Sequence, residues 1–312
     1  MAQVIPTQRK SPVLKHPTLP CLAPHYTINL TAGCPYACRY CYAQSFRSHP
    51  GQGKVIFYAN TPDLLERELS QKRKKVELVY FSTACEPFAP YPEVLDALYR
   101  VMQMLLARSV SLLISTKSVI PQLFEDLFAA HTEQVHVQLG LTTVNDDVRR
   151  LLEPSAATVS ARLETARRLV ARGIPAEIRA DPLTPGLTDT DESVCSLLQA
   201  VADAGVHRMV VSYLFLRPGN IGRLRIAHGA WSFAEMASQI YTSRIDRYCG
   251  GGSVRVPAQE HRRERFKAIA SLARGHGVQI ALCKCKNPDL TDACCHPIPD
   301  SGYPSDQKRL FH

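Results

Sequence analysis

The sequence lacks a long apolar run. Nothing in its 312 residues approaches the ~20 consecutive apolar residues that a membrane-spanning helix needs. The first 17 residues place Lys and Arg among prolines and contain no apolar stretch of the kind that a secretory signal has. We therefore expect a cytoplasmic protein without a membrane partner.

Acidic residues are few relative to basic ones. The chain has 37 Lys and Arg against 28 Asp and Glu, which gives a formal net charge of +9. Such a surplus favours polyanionic partners, because neutralising phosphates releases counterions, although it does not locate a site. Two basic groups, Arg244–Arg247 and His261–Arg265, are candidates for phosphate contacts, and the alternative for both is a solvated helix face.

Cysteine, in contrast, is abundant. The chain has 11 cysteines, and this odd number excludes complete pairing into disulfides. In a reducing compartment, cysteines more often bind metals or act as catalytic thiols than form a disulfide framework. The cysteines therefore direct attention to metal sites and thiol chemistry.

Apolar, strand-like runs alternate with helical patterns along most of the chain. Six runs are typical of strands: Tyr26–Leu30, Val76–Thr83, Ser109–Thr116, Val135–Thr143, Ala176–Asp181 and Arg208–Leu216. Amphipathic stretches such as Pro92–Leu106 lie between them, and a parallel return between strands needs such a crossover. The sequence therefore predicts an α/β fold whose parallel sheet closes fully or partly into a barrel, with functional residues at the C-terminal strand ends.

We divide the chain into three parts. Residues 1–24 predict an irregular N-terminal lead-in, residues 25–220 the barrel, and residues 221–312 a C-terminal extension. Within the extension, the patterns predict a basic helix over Glu260–Gly275 and a strand over Val278–Leu282, followed by a Cys-rich tail.

The first cysteine cluster directly follows the first predicted strand. Residues 33–43 read GCPYACRYCYA, which places Cys34, Cys38 and Cys41 in a C-x3-C-x2-C spacing. Three thiolates can bind three irons of one [4Fe–4S] cubane and leave the fourth iron open to a small molecule. A zinc site is the alternative, although structural zinc usually has two C-x2-C pairs.

This motif resembles that of the radical S-adenosylmethionine (SAM) superfamily. The resemblance implies a partial (β/α)6 barrel of the TIM type, and a [4Fe–4S] cluster whose open iron binds the amino and carboxylate groups of SAM. It also implies one-electron cleavage of SAM to a 5′-deoxyadenosyl radical, fed by a reductant of the flavodoxin or ferredoxin type. Tyr40, before the third cysteine, corresponds to an aromatic residue near the adenine.

Four further segments resemble the spore photoproduct lyase family and its DNA-photolyase-like relatives. They are STACEPFAP (82–90), STKS (115–118), LEPSAATVSARLE (152–164) and EIRADPLTPGLTD (177–189). The resemblance implies that Glu86 meets the SAM ammonium and Lys117 its carboxylate, with Thr83 and Ser115 as ribose or amino contacts. The alternatives are a loop carboxylate for Glu86 and a solvated strand-end lysine for Lys117.

Three more charged residues stand in these segments. Arg179 lies on an otherwise apolar strand and must point into the barrel or find a partner, since buried Arg is rare without one. It is therefore a candidate contact to SAM or substrate. Glu153 and Arg162 are expected to pair with each other in a structural role.

Two residues are candidates for hydrogen-atom transfer. Cys85 follows the second predicted strand, where the resemblance implies a cysteine that donates a hydrogen atom to the product radical. Tyr42 resembles a tyrosine that returns the hydrogen atom. For Cys85 the alternative is an inert buried thiol.

The C-terminal tail departs from the family pattern. It groups Cys283, Cys285, Cys294 and Cys295 with His296. Such a group is typical of a second iron–sulfur cluster, a structural zinc or another soft-metal site, with ordinary thiols as the alternative. We weigh three functions: radical chemistry on a nucleic-acid lesion or base, radical modification of a small molecule or peptide with help from the tail, and non-catalytic electron transfer.

Overall fold

A computed structural model of the protein describes residues 2–17, 22–23, 25–246 and 252–293. In these ranges the strands are β1 (Gln3–Thr7), β2 (Tyr26–Ile28), β3 (Thr31–Ala32), β4 (Lys54–Tyr58), β5 (Leu78–Phe81), β6 (Ser111–Thr116), β7 (Val135–Gly140), β8 (Ala176–Leu183), β9 (Arg208–Tyr213), β10 (Ala227–His228), β11 (Trp231–Ser232), β12 (Ser243–Ile245), β13 (Val254–Val256) and β14 (Gln279–Ala281). The α-helices are α1 (Thr61–Gln71), α2 (Pro92–Leu106), α3 (Gln122–Ala129), α4 (Asp146–Leu152), α5 (Val159–Ala171), α6 (Asp191–Asp203), α7 (Pro218–Ile221), α8 (Phe233–Ile240) and α9 (Gln259–Gly275).

Seven parallel strands form the main sheet of the described chain, in the order β14-β9-β8-β7-β6-β5-β2. Helices connect successive strands, as parallel pairing requires. The six predicted barrel strands are all present, five of them shorter than their apolar runs and β8 two residues longer. The predicted α/β fold, a partial barrel of the TIM type, is confirmed.

Side chains alternate between the two faces of this sheet. Val79 and Phe81 of β5 belong to the main hydrophobic core, whereas Leu78 and Tyr80 belong to a separate interior cluster. This period of two follows from the pleat of a strand. The outer face is therefore apolar, and the inner face carries the residues that line the barrel.

The helix α2 shows how the outer layer forms. Its buried residues recur at helical spacing, and Pro92 occupies the first turn, where its missing N–H costs no hydrogen bond. Val94, Leu98 and Val101 are completely buried in the main core. The helix begins and ends at the residues that the sequence pattern predicts.

The C-terminal extension returns to the main sheet. After α9, strand β14 pairs in parallel with β9, with Ile280 beside Met209. The boundary predicted at residue 220 thus separates two segments that share one sheet. The tail that follows β14 begins at the C-terminal end of the strands, on the side where barrel enzymes place function.

The N-terminal part differs from the irregular lead-in that we expected. Strand β1 pairs in parallel with β4, and β4 pairs with β3 in antiparallel fashion, so these three strands form a small second sheet. Pro6 is tolerated because β1 lies at the edge of this sheet. Strand β3 leads directly into the cysteine loop, so the small sheet lies beside that loop. Across the ranges that the structure describes, none of the helices combines the length and apolar character needed to cross a membrane.

Candidate active site

The cysteine loop (residues 33–43) begins with a constrained glycine. Gly33 has a φ of +82°, and a Cβ added to it would lie 2.6 Å from the carbonyl oxygen of Lys54. Only glycine fits both conditions without displacing β4. The glycine therefore sets the direction in which the loop leaves the small sheet.

Hydrogen bonds hold the loop against the barrel from several sides. The Tyr36 hydroxyl lies 2.6 Å from Ser118 Oγ, and Ser118 Oγ donates to the carbonyl oxygen of Phe88 at 3.0 Å. On the other side, Arg223 Nη2 donates to the carbonyl oxygen of Cys41 at 2.9 Å. Elements that follow β5, β6 and β9 thus fix the loop at the C-terminal edge of the sheet.

Of the three thiols of the loop, Cys38 is buried and Cys34 and Cys41 are half-buried. Burial raises the pKa of Cys34, Cys38 and Cys41, so their thiolate forms need a positive partner such as iron. In the ranges that the structure describes, no three His, Cys, Asp or Glu side chains are grouped so as to hold a single metal ion. Thiolates that each bind a different iron of one cubane need no such group. The donor set fits a [4Fe–4S] cluster with an open iron better than the zinc alternative.

A polar cluster lies next to the loop at the strand ends. The Tyr40 hydroxyl donates to Glu153 Oε1, and Lys117 Nζ lies 3.6 Å from the same oxygen. Glu153 is completely buried, and its second carboxylate oxygen lies 2.7 Å from Arg162 Nη1. Burial acts to raise the pKa of Glu153, but Lys117 and Arg162 outweigh it and lower the pKa. The predicted Glu153–Arg162 pair is confirmed. Glu153 also contacts Tyr40 and Lys117.

The position of Lys117 depends on a glycine. A Cβ added to Gly140, the last residue of β7, would lie 2.5 Å from Lys117 Nζ and 2.8 Å from its Cγ. The side chain of Lys117 therefore passes across the end of the neighbouring strand. Lys117 reaches Glu153 through the space beside Gly140, and the side chain of any larger residue at position 140 would occupy that space.

Glu86 is buried and accepts three hydrogen bonds. Its Oε1 accepts from the Thr116 hydroxyl and from the backbone N–H of Phe88 at 3.2 Å, and its Oε2 accepts from the backbone N–H of Lys117 at 3.0 Å. Burial raises the pKa of Glu86, and it outweighs these hydrogen bonds, which act to lower the pKa. The carboxylate thus ties the loop after β5 to the end of β6.

The two predicted hydroxyl contacts differ in their surroundings. Ser115 follows Leu113 by two residues on β6, and Leu113 belongs to the interior cluster, so Ser115 lies on the inner face. Thr83 Oγ1 lies 3.3 Å from Thr27 Oγ1 and accepts from Asn29 Nδ2 at 3.4 Å. Ser115 faces the barrel, whereas Thr83 is engaged with the end of β2.

Cys85 and Tyr42 meet the same loop. The thiol of Cys85 donates to Asn29 Oδ1 at 3.4 Å, and the Tyr42 hydroxyl donates to the carbonyl oxygen of Thr83, two residues before Cys85. Burial raises the pKa of Cys85, so it remains a thiol at neutral pH. Sequence reasoning missed Asn29, because the predicted strand Tyr26–Leu30 included it, whereas β2 ends at Ile28.

An ion-pair group lies farther along the inner face. Arg179 Nη2 lies 2.9 Å from Asp181 Oδ2, and Lys286 Nζ lies 2.5 Å from Asp181 Oδ1. Burial acts to raise the pKa of Asp181, but Lys286 and Arg179 outweigh it and lower the pKa to about 2. Arg179 thus points inwards and also has a partner. Sequence reasoning missed both Asp181 and Lys286.

The described part of the tail enters the barrel. Cys283 and Cys285 are buried in the interior cluster with Leu78, Tyr80 and Val210. Cys294, Cys295 and His296 lie outside the described residues. The auxiliary metal site therefore stays a prediction.

The basic helix differs from both interpretations of its sequence. Arg262 is buried on α9 and lies 2.5 Å from Asp289, and Arg265 lies 2.9 Å from Asp191. These arginines join α9 to the neighbouring loop and to α6. They are structural pairs, so these two arginines are unsuited to phosphate binding.

The parallel barrel, the three-cysteine loop and the polar strand ends define a cofactor-dependent enzyme of the α/β-barrel class. A family model described as the radical SAM superfamily matches residues 28–211, more than half of the chain. The protein belongs to the radical SAM superfamily. Membership supports catalysis with a [4Fe–4S] cluster and SAM.

Solved structures share this fold. Spore photoproduct lyase superposes with a TM-score of 0.67 at 15% identity, over 90% of this chain and 82% of the lyase. A variant of that enzyme with bound S-adenosylmethionine and dinucleoside spore photoproduct superposes with a TM-score of 0.65 at 14% identity, over 89% and 81% of the two chains. A radical SAM methyltransferase from Sphaerobacter thermophilus gives 0.52 at 17% identity, over 83% and 66%.

Sequence relatives are uncharacterised proteins. One from Mycobacterium tuberculosis is 28% identical over 222 residues, which is 68% of this chain and 65% of the relative. One from Methanocaldococcus jannaschii is 26% identical over 172 residues, 53% of this chain and 63% of the relative. The chain thus spans less than two thirds of the length of either.

Proposed function

We propose that this protein cleaves SAM reductively at a [4Fe–4S] cluster bound by Cys34, Cys38 and Cys41, and abstracts hydrogen from a nucleic-acid lesion or base. When bound, the cluster and SAM supply the 5′-deoxyadenosyl radical. The electron for this step comes from a donor of the flavodoxin or ferredoxin type. The residues of the chain bind, orient and shield these groups.

The observation that carries the proposal is the contact of Glu153 with both Tyr40 and Lys117 beside the cysteine loop. Lys117 is a cation suited to the SAM carboxylate. Glu153 accepts from the Tyr40 hydroxyl, and the Tyr40 side chain packs against the buried group that contains Cys38. Such pre-oriented polar groups are what a cofactor enzyme contributes to radical chemistry. An electron carrier has no need of them.

Glu86 and the inner face complete the proposed SAM site. Glu86 already orients the backbone of Lys117, and a carboxylate has lone pairs left after three hydrogen bonds, so it can also accept from the SAM ammonium. Ser115 on the inner face is a ribose contact in this proposal, and Arg179 borders the substrate. Thr83 acts through Asn29 and Thr27 instead of through SAM.

Cys85 is the proposed hydrogen donor to the product. Its S–H bond breaks, a C–H bond forms on the substrate radical, and a thiyl radical remains on sulfur. Tyr42, anchored on the carbonyl oxygen of Thr83, returns a hydrogen atom to the sulfur. The tyrosyl radical is then reduced by the same one-electron donor and a proton from water. The raised pKa of Cys85 supports the donor role, because the thiol form carries the hydrogen.

The proposed substrate has two supports. The formal net charge of +9 favours a polyanion. The fold is shared with spore photoproduct lyase, which has been solved with a dinucleoside spore photoproduct. A base within a duplex would have to be flipped out to reach the barrel.

A small molecule or peptide is the second candidate substrate. Its support is the tail, since Cys283, Cys285 and Lys286 reach the interior of the barrel. In this version the tail cysteines, including Cys294 and Cys295, hold a second iron–sulfur cluster or zinc that contacts the substrate.

Anaerobic reconstitution tests the proposal. The protein is loaded with iron and sulfide, reduced with dithionite in the presence of SAM, and assayed for 5′-deoxyadenosine. We expect product from the wild type and from Cys195→Ala, a matched control on α6, and none from Cys38→Ala. An intact cluster that yields no 5′-deoxyadenosine would support electron transfer instead. Irradiated oligonucleotides, unirradiated oligonucleotides and peptides then separate the substrate classes.

A further inference from the structure

A cavity lies between the small sheet and the cysteine loop, outside the proposed SAM site. Its volume is about 160 Å³, and on the order of 10–15 Å³ suffices for one water molecule. The cavity can therefore hold a small polyatomic group. Its polar lining includes six residues from three separate segments of the first 50 residues: Arg9, Lys15, Asn29, Thr31, Ser48 and His49.

Arg9 is a buried cation in the wall of this cavity. It is 7% exposed, and its guanidinium lies 4.3 Å from the centre of the Tyr58 ring. Nη2 donates to the carbonyl oxygen of Asn29, whereas Nε is buried without a hydrogen-bond partner. Burial lowers the pKa of Arg9, because the charged guanidinium loses favourable hydration when it is buried.

No carboxylate of the described chain forms a salt bridge with this cation, although the charge of Glu68 acts on it from a distance. Glu68 faces the same segment, but its two oxygens accept from the backbone N–H groups of Val13 at 2.6 Å and Leu14 at 3.0 Å. The described residues that line the cavity include no Asp or Glu. A buried charge without an ion pair is costly, so the site is built for an anion that arrives from outside.

The remaining wall suits an oxyanion. Lys15 adds a second positive charge at an exposed position, and Thr31 and Ser48 add hydroxyl groups. The Asn29 side chain lies in the same wall. Guanidinium, ammonium and hydroxyl donors around one small cavity are the groups that bind phosphate oxygens.

The cavity also borders the proposed hydrogen donor. Ala84, the residue before Cys85, lines the cavity, and Asn29 Oδ1 accepts from both the Ala84 backbone N–H at 3.0 Å and the Cys85 thiol at 3.4 Å. A group bound in the cavity would therefore touch the residues that orient the thiol.

We propose that this cavity is an anion subsite that holds a phosphate group of the substrate beside Cys85. The proposal rests on the proposed function, because it assigns the phosphate to the molecule on which the radical acts. The phosphate belongs either to a nucleic-acid backbone or to a phosphorylated small molecule. Binding at the subsite places the neighbouring carbon within reach of the thiol.

Inorganic phosphate is the probe for the test. Its binding to the full-length, anaerobically reconstituted protein is measured by calorimetry for the wild type, Arg9→Gln, Lys15→Gln and Lys10→Gln. Lys10 is an exposed neighbour that does not line the cavity, so Lys10→Gln is the matched control. We expect saturable binding that weakens about tenfold or more in Arg9→Gln and severalfold in Lys15→Gln, and is unchanged in Lys10→Gln.

The other outcomes are equally decisive. Absence of phosphate binding to the wild type, or binding by Arg9→Gln and Lys15→Gln that is as tight as that of the wild type, overturns the proposal. Lys15→Gln keeps the test valid where Arg9→Gln fails to fold, since Lys15 is exposed. A dinucleotide that competes with phosphate identifies a phosphodiester as the source, and competition by a phosphorylated monomer alone identifies a small substrate. SAM cleavage is assayed separately, so failure of the subsite is distinct from failure of the enzyme proposal.

Discussion

The ammonium group of Lys117 lies 3.6 Å from the carboxylate of Glu153, across the end of the strand that carries Gly140. The pair joins the end of β6 to the loop after α4. Glu153 also binds Tyr40 of the cysteine loop and Arg162 of α5. One buried carboxylate thus orients two of the residues that we assign to SAM.

Gly140→Ala tests this arrangement. The added methyl group would overlap Lys117 Nζ and Cγ and displace the ammonium from Glu153. We expect SAM to bind about tenfold more weakly, which corresponds to ~1.4 kcal/mol. Equilibrium binding of SAM to the reconstituted protein measures the effect. Gly275→Ala on α9, where an added Cβ meets nothing, is the control, and equal affinities in both variants would contradict the role of Lys117.

Glu153→Gln is expected to destabilise the fold strongly. The change leaves Arg162 buried beside an uncharged amide, and breaking a buried pair costs about 3–5 kcal/mol. Urea unfolding measures the free energy. Glu164→Gln breaks the exposed pair with Arg167 and should cost less than about 1 kcal/mol. A similar small loss of unfolding free energy in both variants would show that the Glu153–Arg162 pair does not stabilise the fold.

Lys286→Met is expected to destabilise the fold at neutral pH and to make its stability depend less on acid pH. The folded pKa of Asp181 is about 2, below the ~3.9 of an unfolded aspartate. Ionised Asp181 therefore stabilises the fold above the unfolded value, and this contribution is lost as the pH falls towards 2. Without Lys286 the folded pKa rises towards the unfolded value, so less unfolding free energy is lost as the pH falls from neutral towards 2.

Unfolding free energies between neutral and acidic pH check this prediction. Lys284→Met, which removes an exposed lysine two residues away, is the control and should leave the pH dependence of the unfolding free energy as in the wild type. An unchanged pH dependence in Lys286→Met would mean that Arg179 alone sets the pKa of Asp181.

Cys85→Ser and Tyr42→Phe are expected to separate SAM cleavage from product formation. Neither residue touches the Lys117–Glu153 pair, so formation of 5′-deoxyadenosine should stay within about twofold of the wild type, while the substrate product falls about tenfold or more. Both yields are measured by chromatography in one reaction. Cys195→Ser should change neither yield, and a parallel loss of both yields in Cys85→Ser would assign that cysteine to SAM binding instead.

The sequence predicts the parts of this molecule that are local. The rhythm of apolar runs predicts six barrel strands and the bounds of α2, because alternation and helical spacing act within a few turns. The cysteine spacing likewise predicts the cluster loop without reference to the rest of the chain. Glu153 and Arg162 stand nine positions apart, and their pairing is also predictable.

Long-range contacts are the part that the sequence leaves open. Lys286 meets Asp181 across 105 positions, and no local pattern indicates which of the 37 basic residues does so. The arginines of α9 form a charge run that is typical of an exposed face, yet Arg262 is buried because Asp289 follows in the next loop. Arg9 lies in a short basic stretch just after β1, and β1 is held by pairing with the distant strand β4, as Gln3 with Lys54 shows.

The late position of β14 has a consequence for the order of assembly during synthesis. Cys34, Cys38 and Cys41 leave the ribosome about 240 residues before Lys286 and the tail thiols that reach the barrel interior, and domains begin to fold from their N-terminal side as the chain grows. The edge of the sheet beyond β9 stays open until α9 and β14 are made. Until then β9 presents a row of unpaired backbone N–H and C=O groups at the sheet edge, which the newly made β14 later pairs.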